Sequence, residues 1–148
     1  MAHVAIKPGD RVALLVPGSV DYVRLVLGLL AAGIFPVPLD PRLTPRERSR
    51  ILEDVDPVLV VDHAELMTSM LERSPEDLRG ALPLARPIHV TSGTTGRPKA
   101  VWSGILSPDR AQALVEEERE LWGFEADDVN LVLSPLYHSA PLRFAMGT

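Results

Sequence analysis

Val12-Ala13-Leu14-Leu15-Val16 is an unbroken apolar run that follows the turn residues Pro8-Gly9-Asp10 and does not alternate with polar positions. A strand with one face in water alternates, whereas a strand covered on both faces reads as a continuous run. The stretch therefore predicts a buried strand in a parallel or mixed α/β sheet.

The flanking sequence repeats the pattern. Ser19 is placed to cap a helix over Val20 to Ala32 whose only charges are Asp21 and Arg24, and Gly33 stands where a helix C-terminus favours a left-handed residue. Phe35 to Leu39 reads as a second strand despite Pro36 and Pro38. Thr44, Pro45 and Glu47 open a helix to about Asp54, and Val58 to Val61 reads as a third buried strand. Strand, helix and strand in alternation predict an α/β fold with right-handed crossovers and flanking helices.

Further along, Ala64 to Glu72 has helical character, and Ser74 to Pro87 holds three prolines and Gly80, which suits a surface connection. Ile88 to Val90 leads as a strand into Thr91 to Lys99, and Val101-Trp102 resumes an extended segment. Ser107, Pro108 and Asp109 start a helix to Trp122. Ala111, Leu114, Val115, Leu121 and Trp122 are expected on its buried face, with Glu116, Glu117 and Glu120 as a solvated face. Leu131 to Leu133 reads as another buried strand. Pro141 opens an apolar helix that runs toward Thr148.

Composition narrows the function. The chain has 148 residues and 46% hydrophobic content, enough for one domain or part of one. A formal net charge of −5 and no dense Lys/Arg cluster remove the basic surface that nucleic acid requires. With no cysteine there is neither a thiolate nucleophile nor a cysteine-based zinc site, which suits a reducing cytoplasmic location. The longest uncharged apolar run, Leu25 to Leu39, is shorter than the roughly 20 residues that span a bilayer, and Met1 to Lys7 lack the apolar core of a secretory signal. No transmembrane segment is expected.

The chemistry concentrates in Thr91-Ser92-Gly93-Thr94-Thr95-Gly96-Arg97-Pro98-Lys99, which packs four hydroxyls, two glycines and two cations into nine positions. Glycines let the backbone approach a ligand and turn its N–H groups toward it, hydroxyls donate to phosphate oxygens, and Lys99 supplies a compact positive charge. The segment departs from the common P-loop, because Arg97 and Pro98 separate Gly96 from Lys99. The alternative is an ordinary Gly/Thr-rich hairpin loop, but the ordered mixture favours polyphosphate. Arg97 is assigned to solvent rather than to phosphate.

This loop resembles the phosphate-binding signature of the AMP-forming acyl-CoA synthetases, a family that also includes luciferases and the adenylation domains of peptide synthetases. Gly9-Asp10-Arg11-Val12 through Pro38-Leu39-Asp40-Pro41 resembles the family's early sheet region, and Ser134-Pro135-Leu136-Tyr137-His138 its acyl-pocket segment. Ala100 stands where the family usually has glycine, and the stretch between Thr44 and Thr91 is shorter than in typical members.

The resemblance implies part of the large N-terminal domain of an adenylate-forming enzyme, with an early α/β region at 8–73, a connection at 74–87, and the phosphate loop and acyl-pocket region at 88–148. It implies an acid–CoA ligase acting on a fatty or other organic acid, with ATP, magnesium ion (Mg2+) and coenzyme A. Thr91, Ser92, Gly93, Thr94, Thr95, Gly96 and Lys99 would hold the phosphates, with Lys99 also catalytic, and Tyr137 and His138 would line the substrate pocket. No residue is implied as a metal ligand. The family's later motifs, including its C-terminal domain, are not in this sequence, so the isolated chain is expected to be inactive. Two rivals stay open: a non-catalytic nucleotide-binding or interaction module, and an amino-acid adenylation domain. Tyr137 reads equally as pocket wall or core residue, and His138 also fits a strand-end histidine satisfied by a backbone carbonyl.

Overall fold

The computed structural model describes residues 5–72, 80–91, 99–100 and 104–147, with the backbone alone at 91, 99 and 100. The expected positions 74–79, Ser92 to Pro98, Val101-Trp102 and Thr148 lie outside the described residues.

Three strands, β1 (Arg11–Leu14), β2 (Phe35–Pro38) and β3 (Leu59–Val61), form a parallel sheet in the order β2-β1-β3. The apolar run thus occupies the centre: Val12, Ala13 and Leu14 are fully buried, with Leu14 level with Pro38 on one side and Val61 on the other. The prolines of β2 fit because β2 takes its bonds from β1 in alternate register. The N–H groups of Phe35 and Leu39 donate to Asp10 and Leu14, so Pro36 and Pro38 fall at positions whose missing N–H would face away from β1. On that outer side the Pro36 carbonyl accepts from the Ile88 N–H at 2.9 Å.

Helix α1 (Val20–Ala31) crosses from β1 to β2 and buries Tyr22, Leu25, Val26, Leu29 and Leu30, the spacing of one helical face. Ser19 caps it by accepting from the Tyr22 N–H at 3.1 Å. Gly33, at φ +69°, closes its C-terminus in the left-handed conformation that a side chain would resist. Helix α2 (Pro45–Val55) begins with a full capping box: Thr44 accepts from the Glu47 N–H, and the Glu47 carboxylate accepts from Thr44. Helix α3 (Ala64–Leu71) then packs on α1.

The later half departs from the sequence reading in four places. Strand β4 (Val90–Thr91) begins two residues after the expected start at Ile88 and pairs with β5 (Lys99–Ala100), while the expected Val101-Trp102 lies outside the described residues. Helix α4 (Pro108–Trp122) has the expected bounds, but only Ala111 of its apolar face is buried, while Leu121 is 69% and Trp122 45% exposed. Leu131 to Leu133 is not a strand: no described strand lies beside it to complete its backbone hydrogen bonds, and Leu131 and Leu133 are 76% and 83% exposed. Helix α5 (Ser139–Gly147) opens two residues before Pro141, which sits in the first turn where a helix needs no donated N–H. Leu142 of α5 is fully buried in the core, and Phe144 stacks edge-to-face on Trp122 and Phe124. The glutamates expected in solvent, Glu116, Glu117 and Glu120, are exposed.

Candidate functional site

The two candidate segments hang from the same framework. In the β4–β5 hairpin the antiparallel register sets Val90 opposite Ala100 and Thr91 opposite Lys99. Directly opposed residues have Cα atoms roughly 4.5–5.5 Å apart, so the backbones of Thr91 and Lys99 lie side by side. Ser92, Gly93, Thr94, Thr95 and Gly96 are outside the described residues.

Tyr137 and His138 occupy the turn before α5, where the His138 N–H donates to the Pro135 carbonyl and the His138 carbonyl accepts from the Leu142 N–H. Tyr137 is half-buried and His138 exposed, and their rings lie 4.6 Å apart at a tilt of 54°. The turn is anchored by its neighbour Leu136, which is 7% exposed and lies against Gly18 in the turn after β1. A Cβ at Gly18 would lie 3.0 Å from the Leu136 Cδ1, so any larger residue would require Leu136 to give way by a few tenths of an ångström.

Tyr137 is held from the other side by residues the sequence reading did not single out. The Arg42 Nη2 donates to the Tyr137 hydroxyl at 2.7 Å. The same guanidinium grips Asp40 through Nε and Nη2 at 3.1 and 3.0 Å, and the Arg42 backbone N–H donates to Asp40 at 2.9 Å. Side-chain bonding from Arg42 is the main cause that holds the Asp40 carboxyl down to about 2, with the Arg42 backbone N–H and Tyr137 adding to it. Asp40-Pro41-Arg42 carries a local turn signal, but its link to Tyr137 spans 95 positions and has no signature in a single sequence.

His89, just before β4, is half-buried. Burial, and then the nearby charges of Arg143 and His138, push its pKa below the ordinary histidine value. The residue leading into the β4–β5 hairpin is thereby within electrostatic reach of the residue ending the Tyr137-His138 turn. Beside them an apolar cavity of about 360 Å³ opens between α4 and α5, with Leu30, Leu106, Leu114 and Leu142 among its walls. Glu118, paired with Arg86, stands at it, and neither Tyr137 nor His138 lines it. Among the described residues no cluster of His, Asp or Glu is arranged to hold a metal ion, and no helix is long and apolar enough to cross a membrane.

Comparison with known proteins agrees with the fold. A family model described as "AMP-binding enzyme" matches residues 1–84, the α/β layer ahead of the hairpin. The 2-succinylbenzoate–CoA ligase of Bacillus cereus strain AH820 is 29% identical over 99% of this chain, which spans 32% of that ligase. A dimodular nonribosomal peptide synthase of Bacillus subtilis strain 168 is 32% identical over 78% of the chain, which spans 6% of it. The inhibitor-bound N-terminal domain of FACL13 from Mycobacterium tuberculosis superposes with a TM-score of 0.68 at 27% identity, covering 96% of this chain and 42% of that one. The chain thus spans about a third or less of the length of these curated relatives. More than half of its residues fall in the family match, and it belongs to the AMP-binding enzyme family.

Proposed function

We propose that the chain supplies the nucleotide-phosphate and acyl-site portion of an ATP-dependent, AMP-forming acid–CoA ligase acting on a fatty or other organic acid. In this reading a carboxylate oxygen attacks the α-phosphorus of ATP, the bond to the bridging oxygen breaks, and pyrophosphate leaves with its electron pair. The thiol of coenzyme A then adds to the acyl carbon, gives up its proton, and displaces AMP.

Lys99 and the hydroxyls of Thr91, Ser92, Thr94 and Thr95 bind the β- and γ-phosphates as negative charge builds on the leaving pyrophosphate, while Gly93 and Gly96 let the loop backbone close on them. Tyr137 and His138 form a wall of the acyl site. Magnesium has no cage of its own among the described residues, so it would arrive on the ATP phosphates, as its preference for a few carboxylate and phosphate oxygens plus water allows. When bound it neutralises polyphosphate charge.

The observation that carries this reading is the β4–β5 register, which sets the backbones of Thr91 and Lys99, the two ends of the Thr91 to Lys99 segment, across from each other. The match to a CoA ligase over 99% of the chain supports the acid–CoA branch. The match to a peptide synthase supports a second reading, amino-acid adenylation. Alone, the 148 residues are expected to bind nucleotide without turning it over.

The test is acid-dependent ATP–pyrophosphate exchange in the longest natural form of the protein. Lys99→Ala is expected to raise the barrier by about 2–4 kcal/mol, as loss of one positioned electrostatic donor does, a rate loss of roughly 30- to 1,000-fold. Undiminished exchange in that variant would remove Lys99 from the mechanism. Nucleotide binding with no exchange for any organic or amino acid would favour a non-catalytic module.

A further inference from the structure

We infer that Asp40 and Arg42 are positioning residues for the Tyr137–His138 pair: together they lock the Tyr137 phenol, so that the ring stands as a fixed wall against the His138 imidazole. The inference rests on the reading of Tyr137 and His138 as an acyl-site wall, and it adds two residues from the turn after β2.

The argument begins with the fork. The Arg42 guanidinium is planar, and two of its N–H groups take both Asp40 oxygens, at 3.1 Å from Nε and 3.0 Å from Nη2. That bidentate grip fixes the plane of the guanidinium as a single contact would not. The Arg42 backbone N–H also donates to Asp40 Oδ1 at 2.9 Å, so the carboxylate is anchored to the main chain of its own turn. With its plane set, Nη2 donates to the Tyr137 hydroxyl at 2.7 Å. Tyr137 in turn helps hold the Asp40 carboxyl below its ordinary value, after the larger effect of Arg42.

The phenol oxygen is thus held by the guanidinium, and the ring beyond it faces His138. That ring lies against His138 with 4.6 Å between centroids at a tilt of 54°. Leu136 fixes the same turn from the opposite side through Gly18, so the Tyr137-His138 segment is pinned at two points belonging to the loops after β1 and β2. Both loops leave the C-terminal ends of parallel strands, the edge at which α/β sheets place their ligands.

The first arm of the test is carried out on the 148-residue chain, whose four histidines give separable ring resonances. Arg42→Ala is expected to move the His138 ring signal, which senses the Tyr137 ring current, while the distant His63 signal stays in place. Tyr137→Phe should move it as well, and the double variant no further, because both break one link. Arg42→Lys should restore the signal only in part, since an ammonium cannot hold the carboxylate and the phenol in one plane. An unmoved His138 signal in Arg42→Ala, with the sheet resonances intact, overturns the inference, and so do additive shifts in the double variant.

The second arm uses acid-dependent pyrophosphate exchange in the longest natural form. Arg42→Ala is expected to raise KM for the acid roughly fivefold, the effect of one lost hydrogen bond, and to leave KM for ATP unchanged. A merely structural role would lower the amount of active protein and leave the acid KM alone. A moved His138 signal with an unchanged acid KM supports the clamp and overturns the acyl-site reading, which separates the two failures.

Discussion

Gly18→Ala probes the anchor that sets the Tyr137-His138 turn against the sheet. A Cβ at this position would lie 3.0, 3.1 and 3.3 Å from Cδ1, Cγ and Cβ of Leu136. Carbon pairs are most favourable at roughly 3.5–4.0 Å, so the added methyl overlaps three atoms at once. Rotating the Leu136 side chain relieves the first two contacts but not the third, because Cβ moves only with the backbone. Overpacking of this kind costs about 1–3 kcal/mol. Gly18 is not among the positive-φ glycines, so alanine also narrows the unfolded ensemble and returns about 0.4–1 kcal/mol. The net expectation is a loss of about 1–2 kcal/mol, read as a lower midpoint in urea denaturation at unchanged slope. Leu136→Ala alone empties a site that is 7% exposed and should cost about 2–5 kcal/mol. In the double variant the two losses should fall short of additivity, because the small residue at 136 gives the new methyl room. A Gly18→Ala chain more stable than the parent, or strictly additive losses, would refute the proposed contact as the anchor.

Other residues give independent checks. Thr44→Ala removes one half of the α2 capping box and should cost about 1 kcal/mol in denaturant titration; Thr44→Ser should cost less. Asp40, lowered in the folded chain from 3.8 to about 2, chiefly by Arg42, lends stability that is present above pH 4 and is lost as the pH falls through about 2. The pair is open to solvent, which limits the effect to less than about 1 kcal/mol, and Asp40→Asn should flatten that part of the stability curve relative to the parent. Leu131→Asp and Leu133→Asp, at positions 76% and 83% exposed, should change stability by less than about 0.5 kcal/mol while raising the concentration at which the chain stays monomeric, as light scattering would report. Phe35→Ala, at a fully buried position of β2, should cost about 3–5 kcal/mol.

The sequence was most legible where local chemistry and burial agree. The run Val12 to Val16, the Ser19, Thr44 and Ser107 caps and the left-handed Gly33 each encode their own element, and the helices from Val20, Pro45, Ala64 and Pro108 match their expected bounds to within a residue or two. Legibility failed where an apolar pattern is left largely exposed among the described residues. Leu131 to Leu133 has the composition of a buried strand, yet a strand is made by its neighbours, and on the α4 face Leu121 is 69% exposed while Trp122 remains 45% exposed even with Phe144 against it. The candidate site divides along the same line. Tyr137 and His138 could be singled out from a short motif, but the Arg42 and Asp40 that hold Tyr137 come from a turn 95 residues away, and such contacts belong to the fold. His89 was likewise hidden, since its significance lies in burial near Arg143 and His138 and not in the residues adjacent to it in sequence.

The central claim, that the loop between Thr91 and Lys99 binds polyphosphate, is tested most directly by titrating the chain with ATP, ADP and AMP in the presence of magnesium and following the phosphorus-31 resonances. The account predicts binding that weakens in that order, with the β- and γ-phosphate signals of ATP perturbed most and the perturbation lost in Lys99→Ala. Equal affinity for ATP and AMP, or β and γ signals that respond alike in the parent and in Lys99→Ala, would contradict it.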